Sequence, residues 1–120
     1  MVGTQSASAA SGCYGSGPRV RDGNGNLQYT RYCYAYLKSN MYDWRYGASP
    51  TAIMEAGESW FVCQSYFPGH ENPWTGNDRR NYWWLWSQGD TKWSHNGWGW
   101  FPANRISGAG TGAAPGLRVC

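Results

Sequence analysis

The side chains that carry out acid–base or nucleophilic chemistry are few in this chain, and their spacing matches no catalytic set. His70 and His95 fall in predicted loops, and there is no Gly-x-Ser-x-Gly turn of the kind that exposes a catalytic serine. Glu55 and Glu58 have the residue type of the paired carboxylates that hydrolyse sugars, but solvated turn residues explain them better. Without a nucleophile beside a base, the sequence predicts a protein that is not an enzyme.

Asp22, Asn24 and Asn26 have the alternating spacing that opens a calcium-binding loop. Such a loop also requires a glycine and a later glutamate, at positions where this chain has Leu27 and Cys33. A hairpin turn is therefore the better interpretation of this segment. No metal or other cofactor is predicted.

The four cysteines form an even set without a Cys-x-x-Cys pair. In a small chain this pattern is typical of two disulfides in an oxidising compartment, and oxidised cysteines leave no thiolate for chemistry. Zinc binding is the alternative, but neither the cysteine spacing nor the histidine positions match a zinc ligand pattern. The cysteines are Cys13, Cys33, Cys63 and Cys120.

Aromatic residues give the strongest functional signal, because they make up 18% of the chain and include nine tryptophans. Rings with a polar handle are frequent at the centres of protein interfaces, and their flat faces suit sugars as well. Strand alternation places Tyr82, Trp84 and Trp86 on one face and Trp83 on the other. One face must be core, so the other is either an exposed binding surface or further aromatic packing.

Trp44-Arg45-Tyr46 places an arginine between two aromatic rings in a predicted loop. Such a trio is typical of an interface hot spot, whereas inward packing of the rings is the structural alternative. The full set of candidate binding residues is Tyr32, Tyr34, Tyr36, Trp44, Arg45, Tyr46, Trp83 and Trp98.

Size and charge limit the classes of partner. The 120 residues indicate one domain, and the net charge of +3 is spread over separate arginines, so nucleic acid is not an expected partner. No apolar run approaches the length of a membrane span. Residues 1–12 are small and polar and predict a tail ahead of a domain over 13–120. They lack the features of a signal peptide, so we expect that one was removed and that the protein is secreted.

The elements that must position these residues are predicted to be short strands, which makes the fold all-β. An added hairpin over 13–37 is predicted to turn at Asp22-Gly23-Asn24-Gly25-Asn26, with Cys13 and Cys33 stapling its base. In its second arm, 27–37, alternation separates two faces. Leu27, Tyr29, Cys33, Ala35 and Leu37 are expected on one, and Gln28, Thr30, Tyr32, Tyr34 and Tyr36 on the other.

The remaining strands are predicted at 51–54, 59–67, 82–87 and 97–101, with a 3₁₀ turn at 103–106 and an irregular segment at 39–50. Val62, Leu85 and Ile106 are expected in the core together with several tryptophans.

The end of the chain resembles a small Src-homology-3-like (SH3-like) barrel of the secreted type found in high-GC Gram-positive bacteria. The motifs are Trp60-Phe61-Val62-Cys63-Gln64, Trp83-Trp84-Leu85-Trp86-Ser87-Gln88-Gly89-Asp90, Gly97-Trp98-Gly99-Trp100-Phe101-Pro102 and the final Leu117-Arg118-Val119-Cys120. The resemblance covers residues 42–120. It implies an SH3-like β-barrel, a Cys63–Cys120 disulfide, and binding of proteins or peptidoglycan. Separately, Trp44-Arg45-Tyr46 is similar to the contact triad of small secreted microbial α-amylase inhibitors.

These features predict a secreted, non-catalytic binding module that acts as a protein-binding adaptor in an extracellular assembly. The tail and the hairpin are expected to form one docking surface and the exposed aromatic rings a second. Two alternatives remain open. One is binding of cell wall or glycan through exposed tryptophans, and the other is inhibition of a secreted hydrolase.

Overall fold

The computed structural model describes residues 12–76 and 80–120, so the predicted tail lies outside the described residues except for Gly12. Within those ranges the chain forms strands and short 3₁₀ turns and no α-helix, which confirms the all-β prediction. The strands are β1 (Cys13–Tyr14), β2 (Val20–Arg21), β3 (Leu27–Gln28), β4 (Arg31–Ala35), β5 (Ser39–Tyr42), β6 (Pro50–Met54), β7 (Gly57–Phe61), β8 (Cys63–Tyr66), β9 (Trp83–Gln88), β10 (Thr91–Lys92) and β11 (Trp98–Pro102). The 3₁₀ turns are η1 (Trp44–Tyr46), η2 (His95–Gly97) and η3 (Ala103–Arg105).

The predicted hairpin turn is present between β2 and β3, which pair as an antiparallel two-stranded sheet. Asp22 organises it, because its carboxylate accepts hydrogen bonds from the backbone N–H groups of Asn24 at 2.9 Å and Asn26 at 3.0 Å. Side-chain bonds of this kind stabilise Asx turns, so the carboxylate acts as a turn former.

The prediction of one continuous arm over 27–37 is wrong, because the arm is divided into β3 and β4. The Thr30 hydroxyl donates to the Pro18 carbonyl at 2.6 Å, and the Thr30 carbonyl accepts from Gly17 N–H at 3.0 Å. These bonds turn the chain between β3 and β4. Leu27 and Leu37, which were expected on one face with Ala35, are therefore exposed while Ala35 is fully buried.

A three-stranded sheet follows, in the order β1-β4-β7. Cys13 and Cys33 are paired residues in the β1–β4 register and are joined by a disulfide, as predicted. The chain then continues from β7 into β8 through Val62, so one bent segment belongs to two sheets.

The larger sheet has six strands in the order β10-β6-β5-β11-β9-β8. Its outer strand β8 is covered by the C-terminal segment through a parallel bridge between Gln64 and Val119. The predicted Cys63–Cys120 disulfide fixes the same segment. The buried Gln64 amide bonds to it as well, donating to Ala114 O at 2.8 Å and Leu117 O at 2.7 Å and accepting from Ala114 N–H at 2.8 Å.

The predicted closed barrel is not seen, because the described strands form three separate sheets. The bent β7–β8 segment joins the two larger sheets, together with a bridge from Ala35 to Ile106 and a hydrogen bond from the Ser87 hydroxyl to the Trp60 carbonyl at 2.6 Å. The main core lies between them, and the predicted core residues Val62, Leu85 and Ile106 are buried. No helix in the described ranges is long and apolar enough to cross a membrane.

The segment 39–50, predicted to be irregular, instead contains β5 and η1. Strand β5 pairs with both β6 and β11 and buries Met41 completely. Its sequence, Ser-Asn-Met-Tyr, has little intrinsic strand preference. The neighbouring strands therefore determine its conformation, and this placement positions η1 beside the aromatic strands.

Candidate binding groove

The turn η1 carries the Trp44-Arg45-Tyr46 triad and is shaped by Asp43, which precedes it. The Asp43 carboxylate accepts from the Arg45 backbone N–H at 3.2 Å and so caps the turn. The same carboxylate accepts from the Arg45 side chain, from Nε at 3.0 Å and from Nη2 at 2.7 Å. This two-point contact holds the guanidinium in one orientation at the surface.

The electrostatics of this pair follow from the unequal burial of its members, since Asp43 is 2% exposed and the Arg45 side chain 67%. Burial raises the pKa of the Asp43 carboxyl, but the hydrogen bonds and charge of Arg45 outweigh it and bring that pKa below its usual value. The same contact raises the pKa of Arg45. Both groups are therefore charged at neutral pH.

Arg45 also lies over aromatic rings, with its guanidinium carbon 5.8 Å from the centre of Trp86 and 5.4 Å from that of Tyr46. Both distances are within the range of cation–π attraction. The side-chain hydrogen bonds of Arg45 within the described residues use Nε and Nη2. Because the side chain is 67% exposed, its Nη1 donors remain available to a partner.

Trp44 is mostly a packing residue. Its ring stacks on His70 at 3.9 Å and on Tyr42 at 5.9 Å, and its edge meets Trp84 at 4.9 Å. The inward-packing alternative therefore describes Trp44, whereas Arg45 and Tyr46 are exposed.

Tyr46 is 60% exposed and stacks on His95 of η2 with the ring centres 3.7 Å apart. The backbone of η2 is unusual, because His95 and Asn96 have positive φ values of 50° and 54°. Non-glycine residues rarely adopt this conformation. The Gln88 side chain donates to the Asn96 carbonyl at 2.7 Å and helps to hold the turn beside Tyr46.

Three tryptophans of β9 and β11 form a floor beside the triad. Trp86 stacks on Trp98 at 5.7 Å and contacts Trp100 at 4.8 Å. Trp98 is only 6% exposed and also packs against the ring of Trp60. The strand register explains the contacts, because Trp86 and Trp100 are direct partners across β9 and β11.

The opposite wall is polar and comes from the β2–β3 hairpin and the C-terminal segment. Arg118 donates from Nη2 to the Gln28 amide oxygen at 3.0 Å, and Gln28 donates from Nε2 to Asp22 at 2.9 Å. Arg21 donates to the Gly25 carbonyl at 2.9 Å. The Cys63–Cys120 disulfide lies at the base of this wall.

Together these parts enclose a cleft of about 970 Å³, which we call the aromatic groove. Its floor and rim are formed by Trp86, Trp98, Trp100, Val62, Asp43, Trp44, Arg45, Tyr46, His95, Arg21, Asp22, Gln28 and Arg118, among others. That volume is at the upper end of the range for small-ligand pockets.

Comparison with protein-family models, curated proteins and solved structures finds no match to this chain.

The remaining predicted site residues lie elsewhere. Tyr32 and Tyr34 project from β4 in the three-stranded sheet, where Tyr32 contacts Tyr14 at 6.5 Å between ring centres. We call Tyr14, Tyr32 and Tyr34 the tyrosine face. Tyr36 does not join it, because its hydroxyl donates to the Asn104 carbonyl at 2.6 Å. Trp83 is half-buried against the main core and is not part of the groove lining.

Glu58 lies beside the tyrosine face and accepts a hydrogen bond from the Tyr14 hydroxyl. Burial, followed by this bond and by the charge of Glu58, raises the pKa of Tyr14 to about 12. The phenol is therefore neutral, and its role in this contact is that of a hydrogen-bond donor.

The histidines and cysteines near the groove are held in ring stacking and in a disulfide. His70 stacks on Trp44 and His95 on Tyr46, while the cysteines of both disulfides are oxidised. Within the described parts of the chain, no three His, Cys, Asp or Glu side chains lie where they could hold a metal. The groove instead presents flat rings beside arginine donors.

The sequence predictions missed Asp43, Trp86, Arg21 and Arg118 as parts of this site. Asp43 had a usable signal, since an aspartate directly before a short turn is a common cap. Arg21 and Arg118 had none, because they are 97 positions apart in sequence. Arg118 reaches the hairpin that carries Arg21 only in the folded chain, through the Arg118–Gln28–Asp22 hydrogen bonds.

Proposed function

We propose that this chain is a secreted, non-catalytic protein-binding module whose principal site is the aromatic groove. The observation that carries the proposal is Arg45, held by a buried carboxylate and placed over Trp86 beside the exposed ring of Tyr46. Arginine and aromatic residues are enriched in interface hot spots. Because the guanidinium is already oriented, little conformational entropy is lost when a partner binds.

The tyrosine face supports an adaptor role within this proposal. It belongs to the three-stranded sheet, whereas the groove is built mainly on the six-stranded sheet and the hairpin. Two aromatic surfaces on different sheets would let one molecule contact two partners. The predicted contribution of residues 1–11 to the first surface lies outside the described residues.

We also propose secretion and a distant relationship to SH3-like barrels. Two disulfides support an oxidising compartment. The bent β7–β8 segment and the sequence of β11, Pro102 and η3 support the SH3-like relationship. The separate sheets limit that likeness to these parts.

Two further candidate functions each have one observation in their favour. Glycan binding is supported by the partly exposed indole of Trp86 in the groove, since flat apolar faces suit sugar rings. Hydrolase inhibition is supported by the presentation of Arg45 and Tyr46 on a capped surface turn.

The test compares Tyr46→Ala with Tyr29→Ala, an equally exposed tyrosine outside the groove. Proteins retained from the culture supernatant of the natural host are identified, purified and measured by titration calorimetry. We expect Tyr46→Ala to weaken binding at least about tenfold, as for a hot-spot residue, and Tyr29→Ala to leave it within about twofold.

Two parallel assays separate the alternatives. Retention on insoluble peptidoglycan or polysaccharide that Tyr46→Ala abolishes, with no protein partner found, would replace the proposal by glycan binding. Inhibition of a secreted glycosidase or protease that requires Arg45 would identify the inhibitor function. Equal binding by both tyrosine variants would show that the groove is not the site.

A further inference from the structure

The aromatic groove has an excess of unneutralised arginine. Arg21, Arg45 and Arg118 line it. In the described part of the chain, the salt bridges join Arg45 to Asp43 and Arg80 to Glu71, so Arg21 and Arg118 have no acidic partner there. Their bonds to the Gly25 carbonyl and the Gln28 amide occupy one guanidinium nitrogen each.

The aspartate carboxylates that line the groove, in contrast, are already engaged. Both oxygens of Asp43 bond to Arg45. Both oxygens of Asp22 are bonded within the hairpin, to the Asn24 and Asn26 N–H groups and to Gln28. Sugar hydroxyls require acceptors and donors together. Among the charged side chains of the groove, those that still have donors to offer are arginines beside apolar rings, which favours an anion with apolar neighbours.

The dimensions indicate how such an anion is presented. A cleft of about 970 Å³ is large enough for a short peptide segment. A carboxylate suits the free edge of Arg45, because guanidinium and carboxylate match in shape and charge. Flat side chains beside that carboxylate would meet Trp86 and the exposed ring of Tyr46.

We infer that the occupant of the aromatic groove is an acidic loop or tail of a protein partner, in which an Asp or Glu side chain is flanked by aromatic or proline residues. This inference rests on the proposed function and names the chemistry of the partner. The carboxylate bonds to Arg45, the neighbouring rings contact Trp86 and Tyr46, and Arg21 and Arg118 supply the positive wall.

The test uses a phage library of random peptides selected on the intact, oxidised protein. Synthetic copies of the selected peptides are then measured by calorimetry, each beside a version with Asp and Glu replaced by Asn and Gln. We expect acidic residues next to aromatic or proline residues, a loss of at least about tenfold in the amide versions, and weaker binding as salt concentration rises.

Charge-reversal variants locate the contact. Arg21→Glu and Arg118→Glu are expected to weaken the acidic peptides at least about fivefold each, whereas Arg19→Glu serves as the control. Arg19 packs over Tyr29 at 4.8 Å and lines a different cleft. Melting temperatures of the three variants establish that each is folded.

The outcomes separate this inference from the proposed function. Selected peptides that are neutral or basic, yet lose binding in Tyr46→Ala, would overturn the inference and leave the protein-binding function in place. Peptides of any charge that bind equally well to Tyr46→Ala and wild type would overturn both. Tight binding of polygalacturonate with no peptide selected would also overturn the inference, because the anion would then belong to a glycan.

Discussion

At the scale of single residues, Asp43 is the group on which the groove depends most. Its buried carboxylate caps η1 and fixes Arg45. Its pKa in the folded state is lower than in the unfolded chain, because the Arg45 contacts outweigh the effect of burial. The carboxylate therefore stabilises the fold above the unfolded pKa of about 3.9, and this contribution is lost as the pH falls through the folded-state pKa.

Asp43→Asn tests this linkage. The amide keeps an acceptor for the Arg45 N–H but loses the charge, so we expect a loss of about 2 kcal/mol in the free energy of unfolding at pH 7. The stabilities of variant and wild type should converge in acid, as measured by urea unfolding from pH 7 to pH 2. Asp22, whose pKa is also lowered, titrates equally in both proteins and cancels in the comparison. A constant difference at all pH values would contradict the assignment.

Gly99 makes a second prediction, because the close approach of β11 to β5 and β6 requires it. A Cβ atom there would lie 2.5 Å from the Thr51 hydroxyl oxygen and 3.2 Å from the Met41 Cβ. Thr51 itself donates to the Trp98 carbonyl at 2.8 Å. We expect Gly99→Ala to cost about 1–3 kcal/mol in thermal or urea unfolding, as overpacking does. The control is Gly112→Ala, where the added methyl group meets nothing within 4 Å.

The sequence predicts the role of such a residue when its contact partners lie close to it along the chain. The Asp22 turn follows from neighbouring residues, and it was predicted. The packing of Trp44 depends on His70 and Trp84, which are distant in sequence. A tripeptide alone gives no information about which of its side chains will find such partners.

At the scale of elements, the C-terminal segment depends on Gln64. This side chain is 2% exposed and makes three hydrogen bonds, to Ala114 and Leu117. An apolar replacement would leave those backbone groups buried without partners, at a cost of about 1–3 kcal/mol each. The segment carries Arg118, so its order also affects the wall of the groove.

Gln64→Leu, with both disulfides intact, is therefore expected to speed amide hydrogen exchange in residues 114–120 while leaving β4 and β7 unchanged. Gln88→Leu is the control, because Gln88 makes one bond at the exposed turn η2. Uniformly faster exchange in all strands would show that Gln64 supports the whole core and not this segment.

The strands also show which elements a sequence pattern can predict and which it cannot. Strands β9 and β11 were predicted because their residues have strong strand preference. Strand β5 was not, because burial between β6 and β11 imposes its conformation. The break between β3 and β4 arises from hydrogen bonds to Gly17 and Pro18, about a dozen residues away, and no alternation within the arm reports such contacts.

At the scale of the whole molecule, two disulfides secure different sheets. Cys13–Cys33 lies within the three-stranded sheet, with a separation of 20 residues, and Cys63–Cys120 joins β8 to the chain end, with a separation of 57. Loop-closure entropy predicts a stabilisation of about 3 kcal/mol for the shorter loop and about 4 kcal/mol for the longer. Their sum is a large share of the stability of a small domain.

Replacing the two cysteines of each disulfide by alanine tests the stabilisation that each disulfide contributes. We expect Cys63→Ala with Cys120→Ala to lower the free energy of unfolding more than Cys13→Ala with Cys33→Ala, and to weaken groove binding as well. Loss of the first disulfide should weaken groove binding less, through the β2–β3 wall that lies within its loop. Calorimetric unfolding and peptide titration give the two measurements. Equal effects on binding would mean that the sheets do not act as separate supports.

The stacked pair Trp86–Trp98, with ring planes 22° apart, has an optical consequence. Two indoles this close exchange electronic excitation, so their far-ultraviolet transitions should split into a circular dichroism couplet of opposite sign. Trp86→Phe removes this pair and the Trp86–Trp100 contact and should therefore reduce the couplet. Trp93→Phe, an exposed ring with no stacking contact in the described chain, should leave it unchanged. Any occupant that tilts Trp86 would change the amplitude of the couplet, so far-ultraviolet circular dichroism would report whether the groove is occupied.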